Sequence, residues 1–417
     1  MRPPPALRDT GGPRDPSGPA DPPDPGCSIV HVDMDAFFAM VAIRERPELW
    51  DVPVIAGGGH RGVVLSATYA ARAFGVHSAM PMARARRLCP QAVVVMPDYE
   101  ELGVVSSSVM EIFRTVTPVV EVLSMDEAFL DVSGSLRQFG SPAAVGEYLR
   151  ARIHDEQQIT CSVGVATTPT LAKLASRRAK PDGLFVVPGD HVTSFLHPMR
   201  VEDLWGVGEA TAAQLHRLGL RTVGDIAYTS LGVLRRAMGQ GPGSRLHALA
   251  WGVDDRVVTP RRGPDEPERS MGAQETFGRD TDDAVVVRRE LLRLATKVGA
   301  RMRAADVFGK TITLTVRFHD FTTITRSRTL RDHTARSQEI YATAADLFAR
   351  LGLERARIRL VGVRVEGLVD AQHATRQLAL GEPDHGWDDA DRAVDQVAHR
   401  FGGTTVGPAS LLDTARP

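Results

Sequence analysis

Lysine is nearly missing from this sequence. Only Lys173, Lys180, Lys297 and Lys310 are lysines among 50 basic residues, and the rest are arginines. Cysteine is as scarce: Cys27, Cys89 and Cys161 lie far apart and form no CxxC pair. That excludes a zinc ribbon and a disulfide framework, and it predicts a reducing, cytoplasmic setting. No window approaches the ~18 consecutive apolar residues of a membrane helix, so no membrane span is expected. Neither sign of charge dominates: 50 Lys+Arg stand against 51 Asp+Glu, a net charge of −1. The whole-chain balance therefore points to no partner, and only local charge can. No solenoid repeat is visible.

What is present is enough to build a sizeable core. The chain has 417 residues, 43% of them apolar, which suggests two to four domains. Residues 1–27 hold nine prolines and almost no aliphatic side chains, so they read as a disordered tail. Order is expected from Ser28-Ile29-Val30-His31-Val32, a β-branched run with the look of a buried strand. A Gly57–Gly62 hairpin, a helix at 100–116, strands at 119–123 and 128–132, a helix at 142–157 and a strand at 160–166 follow. This mixture predicts an α+β layer built on a sheet over 28–188. Residues 193–252 read as helices broken by glycine, and 257–268, with three prolines, as a linker. Beyond it the pattern predicts helix 282–303, strands 311–317 and 323–330, helix 335–350 and strand 357–365, arranged as two strand pairs each covered by a helix. Residues 284–364 carry 17 Lys+Arg against 7 Asp+Glu, whereas the stretch after Gly381 is acidic.

Five clusters carry chemistry. Asp33-Met34-Asp35 closes the first strand, and Asp33 and Asp35, two apart, share a face there. Such a carboxylate pair can serve a Mg²⁺ ion or simply end a strand. Ser124-Met125-Asp126-Glu127 sits in a hairpin, and two acid-ended strands in one sheet can bring three carboxylates together for two-metal phosphoryl transfer. Asp126 and Glu127 converge only if the turn breaks the pleat. Ser66, Tyr69 and Arg72 combine hydroxyls with a guanidinium at i,i+3 helical spacing, a set that suits a triphosphate. Lys173 and Lys180 place two of the four lysines seven residues apart, which suggests that a compact ammonium is wanted on a phosphate. Leu204-Trp205-Gly206-Val207-Gly208-Glu209 opens a helix with a G-x-G turn, and a second helix follows from Val223. This is the pattern of a helix-hairpin-helix, whose free N–H groups grip a nucleic-acid backbone.

Taken in order, HVDMDAFFAMV, TYAARAFGV, SMDEAFLDV, CSVGVATTPTLAKLASRRAKPDG and LWGVGEATAAQLHRLGL resemble bacterial Y-family DNA polymerases from about Ile29 to Gly381. The resemblance implies a right-handed α+β fold of palm (28–36 and 98–188), fingers (37–97) and thumb (189–256), followed by the linker 257–268. A little finger (269–381) and an acidic C-terminal extension (382–417) complete it. Asp33, Asp126 and Glu127, with the carbonyl of Met34, would hold two Mg²⁺ ions, and Glu127 is the acid usually marked as catalytic. Asp35 is matched but is not a usual ligand. Ser66, Tyr69, Arg72, Lys180 and the backbone near Phe37 would contact the triphosphate, and Phe38 would discriminate the sugar. Gly206 and Gly208 would meet the DNA backbone, while arginines on the little-finger sheet would bind phosphates with strong salt dependence. Gln377-Leu378-Ala379-Leu380 resembles the short peptide that docks on the sliding clamp, the DNA polymerase III beta subunit. Two departures stand out: Thr68 where the family often has Asn, and Trp205-Gly206 where Pro-Gly is common.

The implied activity is low-fidelity, template-directed addition of dNTPs to a primer in translesion synthesis and repair, by a cytoplasmic monomer on primer–template DNA. No exonuclease motif is visible, so proofreading is not expected. Two other readings stay open: a palm-fold nucleotidyl transferase or cyclase, and a catalytically dead DNA- and clamp-binding scaffold. The hairpin-helix pattern and the basic domain count against the first, and the intact acids against the second.

Overall fold

A computed structural model describes residues 26–59, 61–260, 269–374, 386–402 and 406–411. The chain forms two compact units, 1–262 and 263–417. No helix among the described residues is long and apolar enough to cross a membrane.

The first unit runs β1 (Ile29–Met34), α1 (Phe37–Ile43), β2 (Val54–Gly57), β3 (Val64–Ala67), α2 (Tyr69–Arg72), α3 (Met82–Leu88), β4 (Val93–Val95) and α4 (Tyr99–Val116). It continues with β5 (Val120–Val122), β6 (Glu127–Asp131), α5 (Leu136–Phe139), α6 (Pro142–Gln157), β7 (Cys161–Ala166), α7 (Pro169–Ala179) and β8 (Leu184–Val186). Five helices finish it: α8 (Val192–Leu196), α9 (Glu209–Arg217), α10 (Val223–Tyr228), α11 (Leu231–Met238) and α12 (Gln240–Ala250).

Its main sheet has the order β5-β6-β1-β7-β8, with β1 antiparallel to both β6 and β7. β1 is central, so both its faces are covered. Val30, Val32 and Met34 pack with α4 and α6, whose apolar residues recur at helical spacing (Leu102, Val105, Val109, Ile112, Phe113; Val145, Leu149, Ile153). Asp98 caps α4 by accepting from the Glu100 and Glu101 N–H groups, and Ser141 caps α6 from Ala144. The other face of β1 turns Ile29, His31 and Asp33 toward α7. Here Gly164 decides the approach. A Cβ at Gly164 would fall 2.0 Å from the Ala172 carbonyl oxygen and 2.2 Å from the Ser176 nitrogen. Only glycine lets α7 sit this low on β7, directly beside His31, the register partner of Gly164. A three-stranded sheet, β3-β2-β4, carries α2 and has its own small core.

The second unit contains β9 (Ser270–Thr281), α13 (Ala284–Ala304), β10 (Val307–Phe318), β11 (Thr323–Thr334), α14 (Ser337–Ala349), β12 (Ile358–Glu366), β13 (Val369–Asp370) and α15 (Trp387–Phe401). The expected two strand pairs prove to be one antiparallel sheet, β11-β10-β12-β9, completed by a strand the pattern did not signal. Ile312, Leu314, Val316, Val361, Val363 and Val365 form the core with α13 and α14. The opposite face is hydroxyl-rich. Thr311, Thr313 and Thr315 pair with Thr329, Ser327 and Thr325, and Arg317 and Arg364 are the arginines beside them. Arg328, in register with Ile312, lies on the helix side, where it pairs with Asp346 of α14.

Candidate active site

The site begins with register. Asp33 stands directly opposite Glu127 across β1 and β6, so the two carboxylates share a face. Asp126 lies in the turn before β6, off the pleat, and its carbonyl accepts from the Met34 N–H at 2.9 Å. Its carboxylate accepts from the Ser124 hydroxyl at 2.6 Å. The turn does break the pleat, as convergence requires. The three acids thus leave adjacent backbone positions, yet each is held by its own donor. Among the described residues no three acidic, histidine or cysteine side chains are already gathered in metal-binding geometry.

Lys173 on α7 and Lys180 at its C-terminal end meet these acids. Lys173 on α7 pairs with Glu127, and Lys180, just past α7, donates to Asp33 at 2.7 Å and to the Met34 carbonyl at 3.3 Å. Glu127 also lies 3.4 Å from His31 Nε2, while His31 Nδ1 meets the Ser176 hydroxyl at 2.7 Å. Burial alone would raise the Glu127 pKa, but His31 and Lys173 outweigh it and hold the carboxyl at about 2. At Asp33 burial wins over Lys180 and pushes the carboxyl above its usual value. Burial likewise lowers the His31 imidazole. Carboxylates plus a backbone carbonyl, with a cation already bridging Asp33 and Met34, are a hard-oxygen donor set that fits Mg²⁺.

Asp35 plays a different part from the one its spacing suggested. Its carboxylate is 1% exposed and accepts from Tyr69, Thr160 and Ser162 hydroxyls and from the Asp182 N–H. Tyr69 and Arg72 do share a face: the guanidinium lies 4.6 Å from the centre of the tyrosine ring. Arg72 is further fixed on the Ala67 carbonyl at 2.9 Å, and Ser66 is buried on β3. Thr68 is committed to structure, since its hydroxyl accepts from the Val54 N–H at 2.9 Å. The chain turns from β1 into α1 through Ala36 at φ 47°, which sets Phe37 in the core and leaves Phe38 half-buried, edge-on to Tyr99 at 6.3 Å.

In the hairpin-helix segment Gly206 has φ 94° and Gly208 precedes α9, both exposed. A Cβ on Gly208 would meet nothing within 4 Å, so the backbone there faces open space. Trp205 has a packing role that sequence reasoning missed. Its ring lies 5.7 Å from Phe129 and carries Arg256 at 4.1 Å and Lys173 at 5.4 Å. Asp254 anchors Arg256 at 2.7 Å and accepts from the Thr170 hydroxyl at 2.7 Å, and despite its burial these partners hold its pKa at about 2. The segment Gln377, Leu378 and Leu380 lies outside the described residues.

Comparison with known proteins fits this geometry. Residues 32–177 match the impB/mucB/samB family, 268–380 its C-terminal domain, and 202–254 the thumb domain of DNA polymerase iota. The chain is 42% identical to DNA polymerase IV of Alkalilimnicola ehrlichii over 84% of its own length and 98% of the relative's. The chain belongs to the Y family of DNA polymerases. It is also 42% identical to DNA polymerase IV of Streptomyces coelicolor, over 82% of this chain and 71% of that one. Among solved structures, a Y-family chimera of Dbh and Dpo4 superposes with a TM-score of 0.75 at 24% identity, covering 82% of this chain and 99% of the other. DinB from Sulfolobus solfataricus gives 0.55 at 25% identity, covering 81% and 98%. The fold is the right-handed one with a little finger, and this polymerase is a DNA-directed DNA polymerase of translesion synthesis and repair.

Proposed function

We propose that Asp33, Asp126, Glu127 and the Met34 carbonyl hold two Mg²⁺ ions at the primer terminus, with Glu127, Asp126 and Asp33 the catalytic acids. The register pair Asp33–Glu127, with Asp126 hydrogen-bonded through its backbone to Met34, carries this reading. The metals, when bound, would polarise the α-phosphate and favour ionisation of the attacking 3′-hydroxyl. This chain's own groups do the holding. Lys180, Tyr69, Arg72 and Ser66 would take the triphosphate, with the Phe37 N–H, which sits in the first turn of α1 where N–H groups lack intrahelical acceptors. Phe38 would lie under the sugar. Gly206 and Gly208 would grip the DNA backbone, and the open Gly208 surface supports that.

On this reading the palm is 28–36 with 98–188, the fingers 37–97, the thumb 189–256 and the little finger 269–381. The enzyme works as a cytoplasmic monomer on primer–template DNA, in keeping with three cysteines that are all buried. Gln377, Leu378 and Leu380 would dock on the sliding clamp. Leu378→Ala with Leu380→Ala should leave distributive synthesis intact and abolish stimulation by the clamp, because apolar anchors carry most of a short peptide's affinity. Normal stimulation would place the docking segment elsewhere.

The catalytic assignment is tested by primer extension with Asp126→Asn and Glu127→Gln. Each keeps shape and removes a charge. Extension should fall by several orders of magnitude, while DNA affinity, which rests on phosphate contacts elsewhere, should stay within a few-fold. Substantial extension by Asp126→Asn would overturn the metal assignment.

A further inference from the structure

We infer that Asp35 is a positioning residue for nucleotide binding: it locks Tyr69 and the Lys180–Asp182 loop into one triphosphate cradle. The inference rests on the reading that Tyr69 and Lys180 contact the triphosphate, and it assigns Asp35 a role distinct from metal binding.

Three separate stretches of chain converge on this carboxylate. Oδ1 accepts from the Tyr69 hydroxyl at 3.0 Å and the Ser162 hydroxyl at 2.9 Å, and lies 3.4 Å from Lys180 Nζ. Oδ2 accepts from the Asp182 N–H at 2.8 Å and the Thr160 hydroxyl at 3.1 Å. The Asp35 N–H is itself fixed, donating to the Thr160 carbonyl at 2.9 Å. Tyr69 belongs to α2, Thr160 and Ser162 to β7 and the residue before it, and Lys180 and Asp182 to the loop after α7. No backbone ladder joins α2 to that loop; Asp35 does.

The chemistry demands a carboxylate. The ammonium and the N–H can only donate, and they approach opposite oxygens. An amide would have to present its NH₂ to one or the other, so Asn cannot satisfy both sides. Because Asp35 is 1% exposed, water cannot replace the lost partner. Its acceptors are thus spent on protein donors, which also explains why a residue two positions from Asp33 need not be a metal ligand. The consequence for function is selective. Tyr69 and Lys180 are flexible polar side chains, and holding both in place before the nucleotide arrives removes ordering cost from its binding. Small displacements of such groups cost rate steeply.

The test is single-nucleotide insertion kinetics on one primer–template, with melting temperature and DNA Kd measured in parallel. Asp35→Asn should raise the dNTP KM by about ten-fold, the size of one lost charge-assisted hydrogen bond, with DNA Kd within two-fold. Tyr69→Phe should raise KM in the native background but add less than two-fold on top of Asp35→Ala, which removes the partner of the tyrosine hydroxyl outright, so that the link it breaks is already gone. Should Asp35→Asn fail to fold, Ser162→Ala combined with Thr160→Val removes two of its donors without touching Tyr69 or Lys180, and must raise KM in the same selective way. Additive effects of Tyr69→Phe and Asp35→Ala, or a lowered melting temperature with unchanged KM, would overturn the inference. Lys180→Ala separates the two levels. If it leaves KM unchanged, the triphosphate reading itself falls and the inference with it. If it raises KM while Asp35→Asn does not, only the inference fails.

Discussion

At the scale of single residues, scarcity and position spoke together. Four lysines in a chain of arginines marked Lys173 and Lys180, and these are the cations found on Glu127 and Asp33. The role of Asp35 was hidden for a physical reason. Its partners Tyr69, Thr160, Ser162 and Asp182 come from distant segments, and no local spacing encodes their meeting. Phe38 was legible only through resemblance, since Phe37-Phe38 reads equally well as a core pair. The structure separates them: Phe37 is 1% exposed, and Phe38 is half-buried at the start of α1, five residues past Asp33. A ring there can exclude a 2′-hydroxyl from a nucleotide held at the carboxylates. Phe38→Ala should therefore raise ribonucleotide insertion strongly and lower dNTP insertion modestly. Insertion kinetics with dNTP and rNTP measure this, with Phe37→Ala reporting on folding. An unchanged preference in Phe38→Ala would remove the residue from the site.

At the scale of elements, strongly periodic segments were readable and edges were not. The helix at 142–157 appears with those bounds because Ser141 caps it and Val145, Leu149 and Ile153 line one face. β9 escaped because Ser270–Thr281 is an edge strand carrying Gly272, Gln274, Glu275 and Gly278, with Met271 as its one fully buried residue. The short β4 and α1 were likewise unsignalled, being too brief to show a period. The approach of α7 to β7 was also invisible in one dimension, although it fixes the site. Gly164→Ala places a methyl group 2.0 Å from the Ala172 carbonyl oxygen, backbone that cannot swing aside. α7 must lift, carrying Lys173 and Ser176 away from Glu127 and His31. The expected cost is about 1–3 kcal/mol of stability, with a loss of activity larger than the lost folded fraction explains. Thermal melts and primer extension below the transition measure the two separately. Native melting would show that the helix has room to move.

At the scale of the whole molecule, charge is distributed so that its sum conceals it. The near-zero net charge joins a basic second half to an acidic end, and the structure shows what the acidic end does. Residues 382–417 read as an extension outside the resemblance; within them α15 is a helix with no fully buried residue. Acids at i, i+3 and i+7 hold it in place. Asp388 meets Arg336 at 2.6 Å, Asp391 meets Arg303 at 3.0 Å and the Ser337 N–H at 2.8 Å, and Asp395 meets Arg303 at 2.5 Å. Arg303 is also tied to the Ala335 carbonyl, so its guanidinium is positioned by the body of the domain. With no fully buried residue in α15, its docking is electrostatic and should weaken with salt, whose screening length is about 8 Å at physiological ionic strength and shortens as salt is raised. Asp391→Asn with Asp395→Asn should weaken docking by about 1–3 kcal/mol, the range for hydrogen bonds to charged groups. Hydrogen exchange in peptides spanning 387–401 reads this directly. Protection there should fall in the double variant, and in the native chain as salt is raised, while α13 stays protected through its core contacts at Leu291, Leu294 and Val298. Protection of 387–401 that is indifferent to both changes would mean that the ion pairs do not hold the helix.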